Sequence, residues 1–288
     1  MIKLSVFSDD LAADWDQALQ AAQKANVQGV DIRNVWGKSS KDLTDAEAKK
    51  MAQTLKATDL KAVCLGSTYG RQFWLDDPES RKMTEETLAK MIRFCDILNT
   101  DKIRIFVLWI RGYEEDKKKW AIRPRYNLDL LNRLVQNLEP SVKMAEQAGV
   151  KLLIENEGNS YSGTCREARL IMECIDSPAV QCLYHPRKTH QTGERAYPEG
   201  YNQIRDYIQH VHMGRLDYCW DNTEPEVPHR EALEGLVADG YDKWITIERH
   251  FHPLNPGKEP ELQAQTLRDI EAVRQMLTEI QQHIGQEA

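Results

Sequence analysis

No run of about 18 apolar residues, the length a helix needs to cross a bilayer, occurs anywhere in the 288-residue chain. The opening MIKLSVFSDD is a short strand pattern without the apolar core of a targeting segment, so neither a membrane partner nor a leader is expected. Cysteine pairing is also missing. Cys64, Cys95, Cys165, Cys174, Cys182 and Cys219 are scattered without a CxxC, several of them inside apolar runs, and read as reduced thiols of a cytoplasmic protein rather than a disulfide or zinc framework. Positive charge is in deficit, with 38 Lys and Arg against 45 Asp and Glu and a formal charge of -7, which argues against nucleic acid as the main partner. No GxGxxG follows the first strand-like run, where VFSDDLAADW stands, which weakens a dinucleotide-binding open sheet. With no Pro/Gly/Ser-rich linker and no low-complexity tract, a single domain over residues 1–288 is expected.

What the chain does have is one plan repeated. With 41% hydrophobic and 29% charged residues it has the composition of a folded protein. Eight β-rich runs alternate with amphipathic stretches: IKLSVF (2–7), GVDIR (29–33), KAVCLG (61–66), KIRIFVLW (102–109), KLLIENE (151–157), VQCLYH (180–185), IQHVHMG (208–214) and KWITIER (243–249). Helix starts are marked by two capping-box patterns, Thr44 to Glu47 and Thr164 to Glu167. Gly29, Gly149 and Gly240 fall just ahead of strands, where a helix ends and a turn with positive φ is expected. A last helix is expected over roughly 259 to 283. Strict β/α alternation needs parallel strands with right-handed crossovers, and eight units in this length close most naturally into an α/β (β/α)8 TIM barrel, with a doubly wound open sheet as runner-up.

In such a barrel the chemistry comes from the C-terminal ends of the strands. Run five ends in Glu155, Asn156 and Glu157, run six in His185, run seven in His210 and His212, and run eight in Glu248 and His250. Any one of these has an ordinary explanation as a cap, a satisfied core histidine or an ion-pair partner. Together they are harder to dismiss, because a carboxylate directly after LLI or ITI is costly to bury unless positive charge compensates it. A divalent cation held by Glu155, His185, His212 and Glu248 would neutralise both carboxylates and use imidazole nitrogens as ligands. Alternation puts His210 one layer deeper, as a barrel filler, and puts Glu157 and His250 above the cation, where a ligand would sit.

Four segments, GVDIRNVWGKSSKDLTDAE, LLIENEGNSYSGTCREA, HQTGERAYPEGYNQIRDYIQHVHMG and DGYDKWITIERHFHP, resemble in order and spacing the sugar phosphate isomerase/epimerase group, the xylose-isomerase-like TIM barrels. The resemblance implies a small-molecule sugar substrate, a possible homodimer, and a divalent metal held by Glu, Asp, His and Glu, with Mn expected first and Zn, Co, Fe or Mg as alternatives. Glu155, His212 and Glu248 match that set, and the Asp position falls on His185. The chain departs from the group's pattern there, with His185-Pro186-Arg187-Lys188 for Asp-Pro-Gly-Asn, and again where Met213, Gly214 and Arg215 follow His212 in place of Val-Lys-Asp. A softer ligand set with one anion fewer shifts preference away from Mg.

The activity implied is isomerisation or epimerisation of a keto sugar or related polyol derivative, with Glu155 and Glu248 moving a proton beside a metal-bound carbonyl. Trp36, Trp74 and Trp109 could flank a sugar ring, and Arg33, Arg111, Arg187 and Arg215 could hold a phosphate or carboxylate; packing and solvated loop positions are their ordinary alternatives. Glu157 and His250 could orient hydroxyls. Two further readings fit the same residues: a lyase, dehydratase or glycoside-modifying enzyme on oxidised (3-keto) sugars, and a metal-free sugar-binding barrel in which Lys188 replaces the cation's charge. DNA-repair endonucleases share the barrel, but their His-rich zinc site and basic face find little support in an acidic chain with eight histidines.

Overall fold

The computed structural model describes residues 1–113, 115–216, 227–249 and 259–287. All eight expected strands form, each close to the run that announced it: β1 (Lys3–Phe7), β2 (Gly29–Ile32), β3 (Lys61–Gly66), β4 (Lys102–Ile105), β5 (Lys151–Glu155), β6 (Val180–Tyr184), β7 (Ile208–Met213) and β8 (Trp244–Ile247). They pair in parallel in sequence order, and β1 pairs with β8, so the sheet closes into a barrel. The open-sheet alternative is thereby excluded. Strands covered by helices outside and packed against each other inside are buried on both faces, which is why β2 and β3 read as nearly continuous apolar runs.

Outside the barrel, helices begin where the sequence places side-chain acceptors. Asp14 caps α1 (Trp15–Lys24), Thr44 and Glu47 close a capping box on α2 (Asp45–Lys56), and Asp77 with Pro78 opens α3 (Pro78–Leu98). Asn127 caps α4 (Leu128–Ala148), which ends on Gly149 at φ 67°, and Thr164 with Glu167 boxes α5 (Cys165–Ile175). Between β6 and β7 the outer layer is made of short pieces, including α6 (Pro186–Gln191) and α7 (Tyr201–Ile204). α8 (His229–Ala238) follows, and α9 (Glu259–Glu287) runs a turn beyond the expected end.

Two of the three strand-preceding glycines behave as expected, Gly149 and Gly240 having φ 67° and 71°. Gly29 does not. It is the first residue of β2, outside the positive-φ set, and its missing side chain serves packing instead: a Cβ there would lie 2.4 Å from Val63 Cγ2 and 2.9 Å from the Lys61 carbonyl oxygen.

The main core fills the space between strands and helices, with residues such as Val6, Ile103, Ile154, Leu134, Ile171 and Val273. Inside the barrel the apolar filling is a small separate cluster of Cys64, Leu153 and Leu183. The rest of the buried interior is polar: Ser5, Asp31, Arg104, Glu155, His210, His212, Thr246 and Glu248. Among the described residues no helix is long and apolar enough to cross a membrane.

Because β2 and β3 meet at Gly29 with no spare volume, Gly29→Ala is expected to cost about 1–3 kcal/mol by overpacking. Thr164→Ala, which removes one cap, should cost about 1 kcal/mol. Urea unfolding of both variants checks the order.

Candidate functional site: a carboxylate and histidine centre in the barrel mouth

Strand alternation turns Asp31 of β2 inward, into a place with no access to water. Its Oδ1 accepts from Thr246 Oγ1 at 3.0 Å and lies 3.5 Å from Ser5 Oγ, while Oδ2 faces His210 Nε2 at 2.9 Å and His212 Nε2 at 3.3 Å. Burial alone would raise this carboxyl, but the two imidazoles outweigh it and hold Asp31 well below the usual carboxylate range. His210 also meets Thr246 Oγ1 at 2.8 Å, the deep filler position expected for it. For His212 the consequence is orientation. With Nε2 turned to Asp31, Nδ1 points up into the mouth.

Nδ1 of His212 lies 3.5 Å from Glu155 Oε1 and 3.8 Å from Glu248 Oε2. The other oxygen of each carboxylate faces a guanidinium: Arg104 Nη1 is 3.4 Å from Glu155 Oε2 and 3.7 Å from Glu248 Oε1, and Arg33 Nη1 is 3.0 Å from Glu248 Oε1. Each carboxylate therefore turns one oxygen to the imidazole and one to an arginine. Arg104 is held by donation from Nη2 to the Ser67 carbonyl and lies over Phe106. Arg33 is tied to Asp9 and Asp10, each at 3.0 Å, and stacks 4.3 Å from the Phe7 ring. Burial opposes ionisation of Glu155, yet Arg104 first and Lys188 next bring it down to about 2. Burial likewise works against a charged His212, but its contacts with Asp31 and Glu155 and the charge of Glu248 push it up to about 9.

Asn156, directly after β5, locks His185 in place at the end of β6. Its Oδ1 accepts the His185 backbone N–H at 3.1 Å, and its Nδ2 donates to the His185 carbonyl at 3.2 Å and to Thr189 Oγ1 at 2.8 Å. The His185 ring then reaches Glu248 Oε2 with Nε2 at 2.8 Å. Burial takes this imidazole down to about 4 against the pull of Glu248. On the neighbouring strand end Gly214 is needed for contact: a Cβ there would stand 2.6 Å from the Glu248 carbonyl oxygen.

These residues fit a divalent cation. One donor atom from each of Glu155, His212 and Glu248 lies within 4.8 Å of the other two. Both oxygens of Glu155, Nδ1 of His212 and Nδ1 of His185 are buried without a hydrogen-bond partner, a costly arrangement that a metal would relieve. The Asp31 carboxylate behind His212 is the outer partner that metal-binding histidines commonly have. His185 joins this centre through Glu248 and is outside the three-residue group. Asp31, His210 and His212 also cluster within 4.8 Å, but direct hydrogen bonds account for that cluster.

The remaining expected residues are spread around the mouth. Glu157 is there and pairs with Lys188. Arg33 is at the centre, its donors engaged by carboxylates rather than open to substrate. Trp109 is almost buried, with the Arg71 guanidinium 5.7 Å from its ring centroid, and Arg111 stacks 4.4 Å from the Trp74 ring. Trp36 sits in the short hairpin after β2, beneath Lys50 of α2. Arg187 is buried on α6, and the Arg215 backbone N–H donates to Asp269. His250 lies outside the described residues. Asp31 and Arg104 were not expected at the site. The sequence signal for both was a charged residue at an inward position of an otherwise apolar strand run, GVDIR and KIRIF.

Fold and centre together define a (β/α)8 barrel with a carboxylate and histidine site at the C-terminal ends of its strands. The chain belongs to the xylose isomerase-like TIM barrel family, whose model matches residues 19–275. Among solved structures it is similar to an L-ribulose 3-epimerase (13% identity, TM-score 0.76, covering 100% of this chain and 98% of that one). It is also similar to a probable 3-DHS dehydratase, AsbF, of petrobactin synthesis in Bacillus anthracis (15%, 0.67, 92% and 97%). A third likeness is to the 3-keto-D-glucoside 4-epimerase YcjR of E. coli (14%, 0.67, 94% and 100%). No curated protein matches the chain.

Replacing Arg104 by leucine leaves Glu155 buried beside one cation fewer, and is expected to cost about 3–5 kcal/mol measured in chelator. Added Mn should return part of that loss in the same unfolding experiment.

Proposed function

We propose that the barrel is a metal-dependent isomerase or epimerase acting on a keto sugar or related polyol derivative, by proton transfer next to a metal-bound carbonyl. One observation carries the reading: donor atoms of Glu155, His212 and Glu248 converge within 4.8 Å, those of Glu155 and His212 Nδ1 without a hydrogen-bond partner, and Asp31 fixes which imidazole nitrogen faces them. The solved structures of similar fold include two proteins named as sugar epimerases, which agrees with this chemistry. Glu155, Glu248 and His212 would hold the cation, with His185 beside them. Carboxylate oxygens and imidazole suit Mn best, with Zn, Co, Fe and Mg as alternatives. Such a cation polarises a carbonyl and acidifies the adjacent C–H.

The chain's own residues would do the rest. Glu155 and Glu248 stand on different strands, so they can reach the reacting carbon from two sides, which is what removal and return of a proton require. Arg33 and Arg104 hold the outer oxygens of those carboxylates and fix their direction. Glu157 and Lys188, paired at the rim, would meet sugar hydroxyls. A second reading, a sugar-binding barrel without metal, has one observation in its favour: Arg33 and Arg104 already supply cationic charge to both carboxylates.

The test is proton NMR in heavy water with a panel of ketoses and 3-keto glycosides, on protein with measured metal content. Solvent deuterium entering the substrate without loss of a group supports isomerase or epimerase, and elimination products mean a lyase. Chelation should abolish exchange and Mn restore it. Glu248→Gln is expected to lower the rate at least about 10²-fold. Protein that holds no first-row metal, gains no stability from added Mn or Zn and exchanges no sugar overturns the reading in favour of the metal-free barrel.

A further inference from the structure

One charged group at the mouth has no role in the centre described above. Arg71 lies in the segment between β3 and α3, and that segment is built rigidly. The Phe106 N–H donates to the Tyr69 carbonyl at 3.0 Å, and the Trp109 N–H to the Phe73 carbonyl at 2.8 Å, so residues 69–73 are stitched to the chain that continues β4. Gly70, at φ 74°, allows this approach, since a Cβ there would collide with the Phe106 carbonyl oxygen at 1.9 Å. The platform beneath Arg71 is equally fixed. Trp109 bridges to Ser160, and Ile110 N–H donates to the Asn159 carbonyl at 2.8 Å.

On this platform the Arg71 side chain is open to solvent, its guanidinium 5.7 Å from the Trp109 ring centroid, and among the described residues it makes no ion pair. Around it stand the like charges of Arg104 and Arg33 and the opposite charges of Glu157 and Glu155. The nearest acid at the rim, Glu157, is already neutralised by Lys188. A guanidinium over a fixed platform, without an ion-pair partner among the described residues, is complemented by a ligand that brings negative charge. A neutral sugar offers nothing that neutral hydrogen-bonding side chains could not meet at lower cost.

We propose that the substrate is a sugar acid, whose carboxylate pairs with Arg71 above Trp109 while its hydroxylated carbons extend toward Glu155 and Glu248. A planar carboxylate matches the two-pronged edge of a guanidinium and brings one negative charge to the one guanidinium of Arg71. The proposal rests on the reading of the barrel as a sugar enzyme only for the identity of the rest of the ligand.

Calorimetric titration tests it without turnover. The full chain, free of added metal, is titrated with gluconate, with sorbitol as its uncharged counterpart, and with sorbitol 6-phosphate. Gluconate is expected to bind at least about 10-fold more tightly than sorbitol. Arg71→Gln should weaken gluconate about 10- to 100-fold, leave sorbitol unchanged and flatten the salt dependence, with Arg71→Lys in between. Equal binding of gluconate and sorbitol, no measurable gluconate binding, preference for the phosphate, or equal weakening of both ligands by Arg71→Gln each overturns the proposal. Failure of the isomerase reading shows separately, as absence of deuterium exchange with gluconate binding through Arg71 intact.

Discussion

Two carboxylates buried at the ends of β5 and β8 set the terms for everything around them. Glu155 and Glu248 have no exposure to water, and a buried carboxylate without compensation is among the costliest groups a fold can carry. The barrel meets that cost with fixed partners from four other strands: Arg33 after β2, Arg104 in β4, His185 after β6, His212 in β7, and Asp31 in β2 behind the last. Parallel closure is what makes this possible. Only a closed sheet brings β2, β4 and β8 within ion-pair distance of one another across an interior.

The compensation is divided by direction, and this division connects stability to chemistry. The guanidiniums take the oxygens Glu155 Oε2 and Glu248 Oε1, and the imidazole side takes Glu155 Oε1 and Glu248 Oε2. Arginine cannot give up its proton, so its side of each carboxylate is permanently committed. The histidine side is different in kind, because imidazole can be a cation or a ligand. A centre in which one half is fixed and the other exchangeable can hold a dissociable cation without losing the fold when the cation leaves.

The fold was legible in the sequence because barrel strands are buried on both faces and separated by helices with side-chain caps, and both features are local. Thr44 with Glu47 and Thr164 with Glu167 read as capping boxes and are capping boxes. The strand-end residues Glu155, His185, His212 and Glu248 were legible by position, and the structure gathers them at one end of the barrel. Arg104 and Asp31 were harder to assign, since their meaning depends on partners 51 and 181 residues away, which no local pattern specifies. Gly29 misled for a related reason. Sequence shows a glycine before a strand, but only the packed barrel shows that the neighbour is Val63 and that volume, not φ, is what glycine supplies.

His185 is the point where these arguments meet. The resemblance to related barrels puts an aspartate at this position, and an aspartate here would add another anion to Glu155 and Glu248. In this chain the position carries an imidazole that burial keeps neutral, and its Nε2 stands 2.8 Å from Glu248. A neutral group that donates through Nε2 to Glu248 offers only Nδ1 to anything else, and Nδ1 has no hydrogen-bond partner. The substitution therefore lowers the negative charge of the centre while Arg33 and Arg104 raise its positive charge, both in the same direction. A cation in a centre of this charge would be held less by charge and more by donor chemistry, which would favour nitrogen-accepting metals over Mg.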